Sequence, residues 1–96
     1  MKVLQRRERR NKLEIYFAVL NAIKQESKNV EIVRPTRIQF LSSLSYDNTV
    51  KQLDELKEKK LVQDSDEISL TSRGEAFLKD YEKIRKYTEQ MGIDYL

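Results

Sequence analysis

Asn48, Lys51 and Gln52 fall within five consecutive residues of a chain that contains neither cysteine nor histidine. The two amides have the donor and acceptor pairs that read adenine edges, and the ammonium suits a phosphate or a guanine. Ser45, Tyr46 and Thr49 lie beside them and add hydroxyls. A second group, Arg34, Thr36 and Arg37, has the chemistry of a phosphate clamp, with two guanidiniums around a hydroxyl. Arg6, Arg7, Arg9 and Arg10 form a third. They suit a minor-groove arm or an electrostatic tether, or else they are the basic first turn of a helix, partly neutralised by Glu8.

Catalytic constellations are not evident. Without cysteine or histidine there is no disulfide, thiol or imidazole chemistry and no zinc site of sulfur or nitrogen ligands. Asp64, Asp66 and Glu67 cluster, but the run lacks the glycine-shaped loop and further oxygen ligands of a cation site and reads as a solvated turn. Gly74 and Gly92 are isolated, so no phosphate-cradling loop is encoded. No catalytic residue, metal or cofactor is expected.

Net charge points to one end of the chain. Residues 1–12 carry six basic groups and one acidic, a net of +5, whereas the other 84 carry 13 basic and 15 acidic, a net of −2. The overall +3 is therefore weak support for a nucleic-acid partner of the body of the chain. Charged residues reach 36% against 39% apolar, a balance better suited to a small domain with a projecting solvated helix than to one globule. No apolar run approaches the roughly 18 residues that span a bilayer. A cytoplasmic, nucleoid-associated protein with no membrane partner and no small-molecule ligand is expected.

The elements that would position these groups follow from periodicity. Leu13, Tyr16, Phe17, Leu20 and Ile23 recur at helical spacing, which predicts a first helix beginning within the basic stretch and running to about Gln25. Val30–Val33 is expected as a short extended piece joining a hairpin as a third strand, and Pro35 biases Arg34 away from helix. Thr36 with Gln39 reads as a capping box for a second helix to Leu44, with Ile38 and Leu41 inward and Phe40 a further inward candidate.

Ser45 is the expected N-cap of a third helix to Lys60, with Val50, Leu53 and Leu56 inward and Asn48, Thr49, Lys51, Gln52 and Glu55 outward. Only Ser43–Ser45 separates the two helices, the link of a helix-turn-helix. Tyr46 has three readings: a base contact, a phosphate contact through its hydroxyl, or a ring packed on the hairpin with its tip exposed. Leu61 and Val62 open that hairpin, and Ile68 and Leu70 close it.

Ser72 with Glu75 reads as a capping box for a last helix that continues to about Met91, where Gly92 permits termination. In it Phe77, Tyr81, Ile84, Thr88, Met91 and Tyr95 follow heptad spacing between polar neighbours. This narrow stripe suits one partner helix, either the same helix of a second chain or the first helix of its own.

The order of these elements, with Thr36-Arg37-Ile38, Leu44-Ser45-Tyr46, Leu53, Leu56, Leu61-Val62 and Leu70-Thr71-Ser72-Arg73-Gly74 into Phe77-Leu78, resembles a small archaeal winged-helix family. These are the ten-kilodalton DNA-binding proteins of Sulfolobus type, also described as predicted transcriptional regulators, and the likeness covers roughly Lys12 to Tyr87. It implies a homodimer joined by an antiparallel coiled coil of C-terminal helices, with duplex DNA bound at little sequence preference. Two positions depart from the family pattern. Lys60 stands where a glycine is frequent, and the wing tip Asp64-Ser65-Asp66-Glu67 is acidic enough to be repelled by phosphate.

The expected fold class is mainly α (α+β), a winged helix-turn-helix with a short β-hairpin wing and a long C-terminal coiled-coil helix. Residues 1–12 form a basic segment running into helix one, 13–71 the winged-helix domain and 72–96 the dimerisation helix. The expected function is duplex DNA binding as a homodimeric chromatin-like factor or transcriptional regulator. A protein-interaction module within a transcription complex is the alternative.

Overall fold

The computed structural model describes residues 9–93. Its first helix, α1 (Lys12–Ser27), starts from a full capping box. Asn11 Oδ1 accepts the Glu14 amide at 2.8 Å, and Glu14 Oε1 accepts the Asn11 amide at 2.9 Å. Val19, Leu20 and Ile23 are fully buried, with Ile15, Tyr16 and Ala22 beside them, so α1 is the spine of the domain. Leu13, expected on that stripe, is exposed because it lies in the first turn, before the packed part of the helix.

Val30–Val33 does not form the expected third strand. Among the described residues the sheet is a two-stranded antiparallel hairpin. The Val30 amide is spent on Glu26 O at 3.1 Å in the turn that ends α1, and Val33 alone of the four residues enters the core. Helix α2 (Pro35–Ser42) then begins two residues earlier than a Thr36 cap would require. Arg34 is its N-cap, extended at φ −108° and ψ 146°, and Pro35 supplies a ready-made helical first position in place of a side-chain cap. Only Ile38 and Ser42 of α2 are buried, four residues apart on one ridge, and the Ser42 hydroxyl donates to Ile38 O. Phe40 and Leu41, expected inward, project to solvent, Phe40 with 71% of its surface exposed.

Ser43 makes the helix-turn-helix turn at φ 58°, the left-handed region. Leu44 drops into the core, and Ser45 caps α3 (Tyr46–Glu58) by accepting the Asn48 amide at 3.1 Å, as expected. The buried side of α3 is Thr49, Gln52, Leu53 and Leu56, not Val50, Leu53 and Leu56. Val50 is exposed, and the outward placement expected of Thr49 and Gln52 is reversed. Local hydrogen bonds make this tolerable: Thr49 Oγ1 donates to Ser45 O at 2.8 Å, and Gln52 Nε2 donates to Asn48 Oδ1 at 3.0 Å.

Helix α3 ends before Lys60, which turns the chain at φ 65°. Strands β1 (Val62–Asp64) and β2 (Ile68–Leu70) pair in register Val62 to Leu70, Gln63 to Ser69 and Asp64 to Ile68. Leu61, Val62 and Ile68 point into the core, while the tip stays in solvent.

The last helix, α4 (Ser72–Gln90), is capped by Thr71, one residue before the Ser72 expected from the capping-box pattern. Thr71 Oγ1 accepts the Gly74 amide at 3.0 Å and donates to Lys60 O at 2.7 Å. Gly74 is required by contact rather than by φ, since a Cβ there would sit 2.2 Å from Leu61 O. At the other end Gly92, at φ 69°, stops the helix.

The heptad stripe of α4 divides. Its first half folds onto α1: Leu78 is buried, and Phe17 meets the Tyr81 ring edge-on at 4.8 Å. In the second half Ile84 and Met91 are exposed, together with Tyr87. Tyr95 lies outside the described residues.

Candidate nucleic-acid interface

Two helices meeting at Ser43 leave the solvent side of α3 and the N-terminal turn of α2 open. On α3 that side carries Lys51 and half-exposed Asn48, with Tyr46 exposed over about half its surface at the first helical position. Asn48 is held by the Gln52 amide, so its own NH2 is the part left to meet a base edge. Ser45 is exposed, with its hydroxyl occupied as the helix cap. Thr49 is fully buried and Gln52 nearly so, so neither is presented to a duplex.

At the start of α2, Arg34 and Thr36 are exposed. Arg37 is also exposed, but its Nε donates to the buried Glu26 carboxylate at 3.2 Å, and its guanidinium lies 5.4 Å from the Phe40 ring centre. Its charge is thus shared with a buried carboxylate in the last turn of α1. Arg34 and Thr36 are the unencumbered part of the expected phosphate clamp.

Arg9 is exposed beside the start of α1. Arg10 does not extend from the body. Its Nη1 donates to Ser42 O at 2.9 Å and its Nη2 to Ser43 O at 3.4 Å. Arg6 and Arg7 lie outside the described residues.

Glu55, expected on the open face, is turned toward α1. It accepts from Lys12 Nζ at 2.9 Å and from the Tyr16 hydroxyl at 2.7 Å. The Lys12 hydrogen bond, followed by that of Tyr16, holds the Glu55 carboxyl below the ordinary carboxylate value. Burial first, then the bond to Glu55 and its charge, pushes Tyr16 up to about 12.

The wing keeps its acidic tip exposed, with Lys57 Nζ 3.5 Å from both Asp54 and Asp64. Among the described residues no group of three or more carboxylates is arranged to hold a metal ion. No described helix is long and apolar enough to cross a membrane.

Three helices, a left-handed turn ahead of α3 and a hairpin behind it define a class of module, the winged helix, typically a non-enzymatic DNA-binding domain. The chain belongs to the winged helix-turn-helix family, whose model matches residues 9–89. No curated protein matches it.

Proposed function

We propose that the protein is a homodimeric DNA-binding regulator of architectural type. The observation that carries this reading is the exposure of Lys51, Tyr46 and, in part, Asn48 on α3 and of Arg34 and Thr36 at the start of α2. With α3 in the major groove, Lys51 and Asn48 reach base edges or phosphates, and α2 meets the backbone through Arg34 and Thr36. Arg9 lies where it can add to the electrostatic attraction.

The second head is supplied by another copy through α4. The helix is about 28 Å long, and its Ile84, Tyr87 and Met91 side chains have no covering element among the described residues. An antiparallel pairing would set two heads far apart, able to bridge duplex segments in a nucleoid, as the resemblance to the archaeal ten-kilodalton proteins implies. The acidic wing is expected to stay away from phosphate.

A protein-interaction module is the second reading, favoured by Asp47, Asp54 and Glu58 on the exposed side of α3 and by exposed Phe40 on α2. Fluorescence anisotropy separates the two. A labelled random-sequence duplex is titrated at several salt concentrations with the parent and with Arg34→Ala and Lys51→Ala. DNA binding through this face requires salt-sensitive binding by the parent and a slope of log affinity on log salt reduced by about 0.9 per lost phosphate contact. Absence of binding at low salt rejects it in favour of a protein partner.

A further inference from the structure

Each turn that bounds α3 contains a left-handed residue other than glycine, Ser43 before it and Lys60 after it. Each is also gripped by an arginine from a distant part of the chain. Arg10 donates to the carbonyls of Ser42 and Ser43, and Arg73 Nη1 donates to Lys59 O at 3.3 Å. Thr71 completes the second grip, through its hydroxyl on Lys60 O at 2.7 Å and its amide on Leu61 O at 3.1 Å. Thus α3 is held from outside at the turns that flank both ends, and in its last turn by the Lys12 and Tyr16 contacts to Glu55.

The carbonyls concerned lie where helical hydrogen bonding runs out, so each depends on an outside donor. A non-glycine residue at positive φ persists only where its surroundings hold it there. A guanidinium meets this need because one rigid fork can bind two neighbouring oxygens without losing its charge.

We propose that Arg10 and Arg73 are positioning residues for α3: they hold its two flanking turns and thereby set the pose of the helix toward a duplex, without contacting phosphate themselves. The proposal rests on the DNA-binding reading only for its effect on affinity. The grip on the turns stands apart from it.

The test measures duplex binding and amide exchange in the full chain for Arg10→Ala, Arg10→Lys, Arg10→Ala with Ser43→Gly, and Arg73→Ala. Arg10→Ala is expected to weaken binding about tenfold, the loss of one to two hydrogen bonds, while the salt slope stays that of the parent. Lysine, with the charge but not the fork, should recover less than half of the loss. Glycine at position 43, which adopts the turn unaided, should recover most of it. In the free protein, exchange of the Leu44 amide, bonded to Gln39 O at 3.2 Å, should quicken in Arg10→Ala and slow again with Ser43→Gly. Arg73→Ala should likewise quicken exchange of the Leu61 amide, bonded to Leu56 O at 2.9 Å.

A salt slope reduced by about one in Arg10→Ala, or full recovery with lysine, would make Arg10 a phosphate contact and overturn the proposal. Unchanged amide exchange in both alanine variants overturns it too. A parent that binds no duplex defeats the DNA-binding reading, and the exchange measurements then decide the positioning role by themselves.

Discussion

The Tyr16 hydroxyl donates to Glu55 Oε1 at 2.7 Å, tying the last turn of α3 to the first half of α1. Lys12 Nζ binds the same oxygen at 2.9 Å. One carboxylate thereby fixes the angular position of α3 on the spine of the domain, and its ionisation becomes linked to folding.

Both partners shift in directions that favour the pH range between them. Tyr16 has its pKa raised from 10.0 to about 12, so its contribution is complete below pH 10 and is lost as pH rises through about 12. Glu55 is lowered from 4.5, so its contribution is complete above that value and is lost as pH falls through the lower folded one. Tyr16→Phe should cost about 1 kcal/mol at neutral pH. In thermal unfolding the gap between parent and variant should close between pH 10 and 12. A gap that persists above pH 12 would assign the effect to ring packing.

Gly74→Ala should destabilise the domain by about 2 kcal/mol, because its Cβ would press on the Leu61 carbonyl, which is already engaged by the Thr71 amide. Urea denaturation would show a lower midpoint at unchanged m. A midpoint equal to that of the parent would mean that α4 can shift away from the turn at no cost.

Lys60→Gly should act in the opposite direction. The lysine sits at φ 65°, and glycine is frequent at this position in the resembled family. Glycine there avoids the Cβ clash and should raise stability by about 0.5 kcal/mol after its own entropic cost. A fall in stability would reveal a contribution of the lysine stem that outweighs its backbone.

Substitutions along α4 should divide as the helix does. Phe77→Asp places a charge against the core and should unfold the head, seen as loss of the thermal transition. Ile84→Asp lies on the exposed half and should leave the fold intact while halving the mass in sedimentation equilibrium. A parent that is already monomeric would leave the exposed stripe without a second copy and remove the two-headed mechanism.

Much of the architecture was legible in the sequence because it is written in local chemistry. Ser45 as a cap and Gly92 as a stop each depend on neighbours within a few residues, whereas the capping-box pattern at Thr36 set the start of α2 too late, the cap being Arg34 with Pro35 as the first helical residue. The hairpin followed from Ile68 and Leu70, both inward or half-buried. Apolar periodicity misplaced the buried side of α3, because Thr49 and Gln52 are taken inward with the Thr49 hydroxyl and the Gln52 NH2 bonded one turn back, while Gln52 Oε1 is buried without a hydrogen-bond partner among the described residues. Phe40 is the converse case, an aromatic ring that hydrophobicity makes a candidate for the core and that the structure leaves in solvent beside Arg37.

The candidate site was less legible, since charge says nothing about occupancy. Arg34 and Arg37 look equivalent in the sequence, yet the second is paired with Glu26, eleven residues earlier in the chain. Arg10 looks like one more member of a basic run, yet it reaches carbonyls more than thirty residues away. Such contacts exist only once α1 has docked on the turn between α2 and α3.

The central place of α1 also bears on how the chain acquires its structure at the ribosome. The helix is synthesised before every element that covers it, and Val33, Ile38, Leu56, Ile68 and Leu78 join its core from successive points along the chain. The cover of its apolar side is therefore completed only once Leu78 has left the exit tunnel. Slower translation through the wing and the start of α4 would lengthen the time for which the remaining part of that surface is open to chaperones.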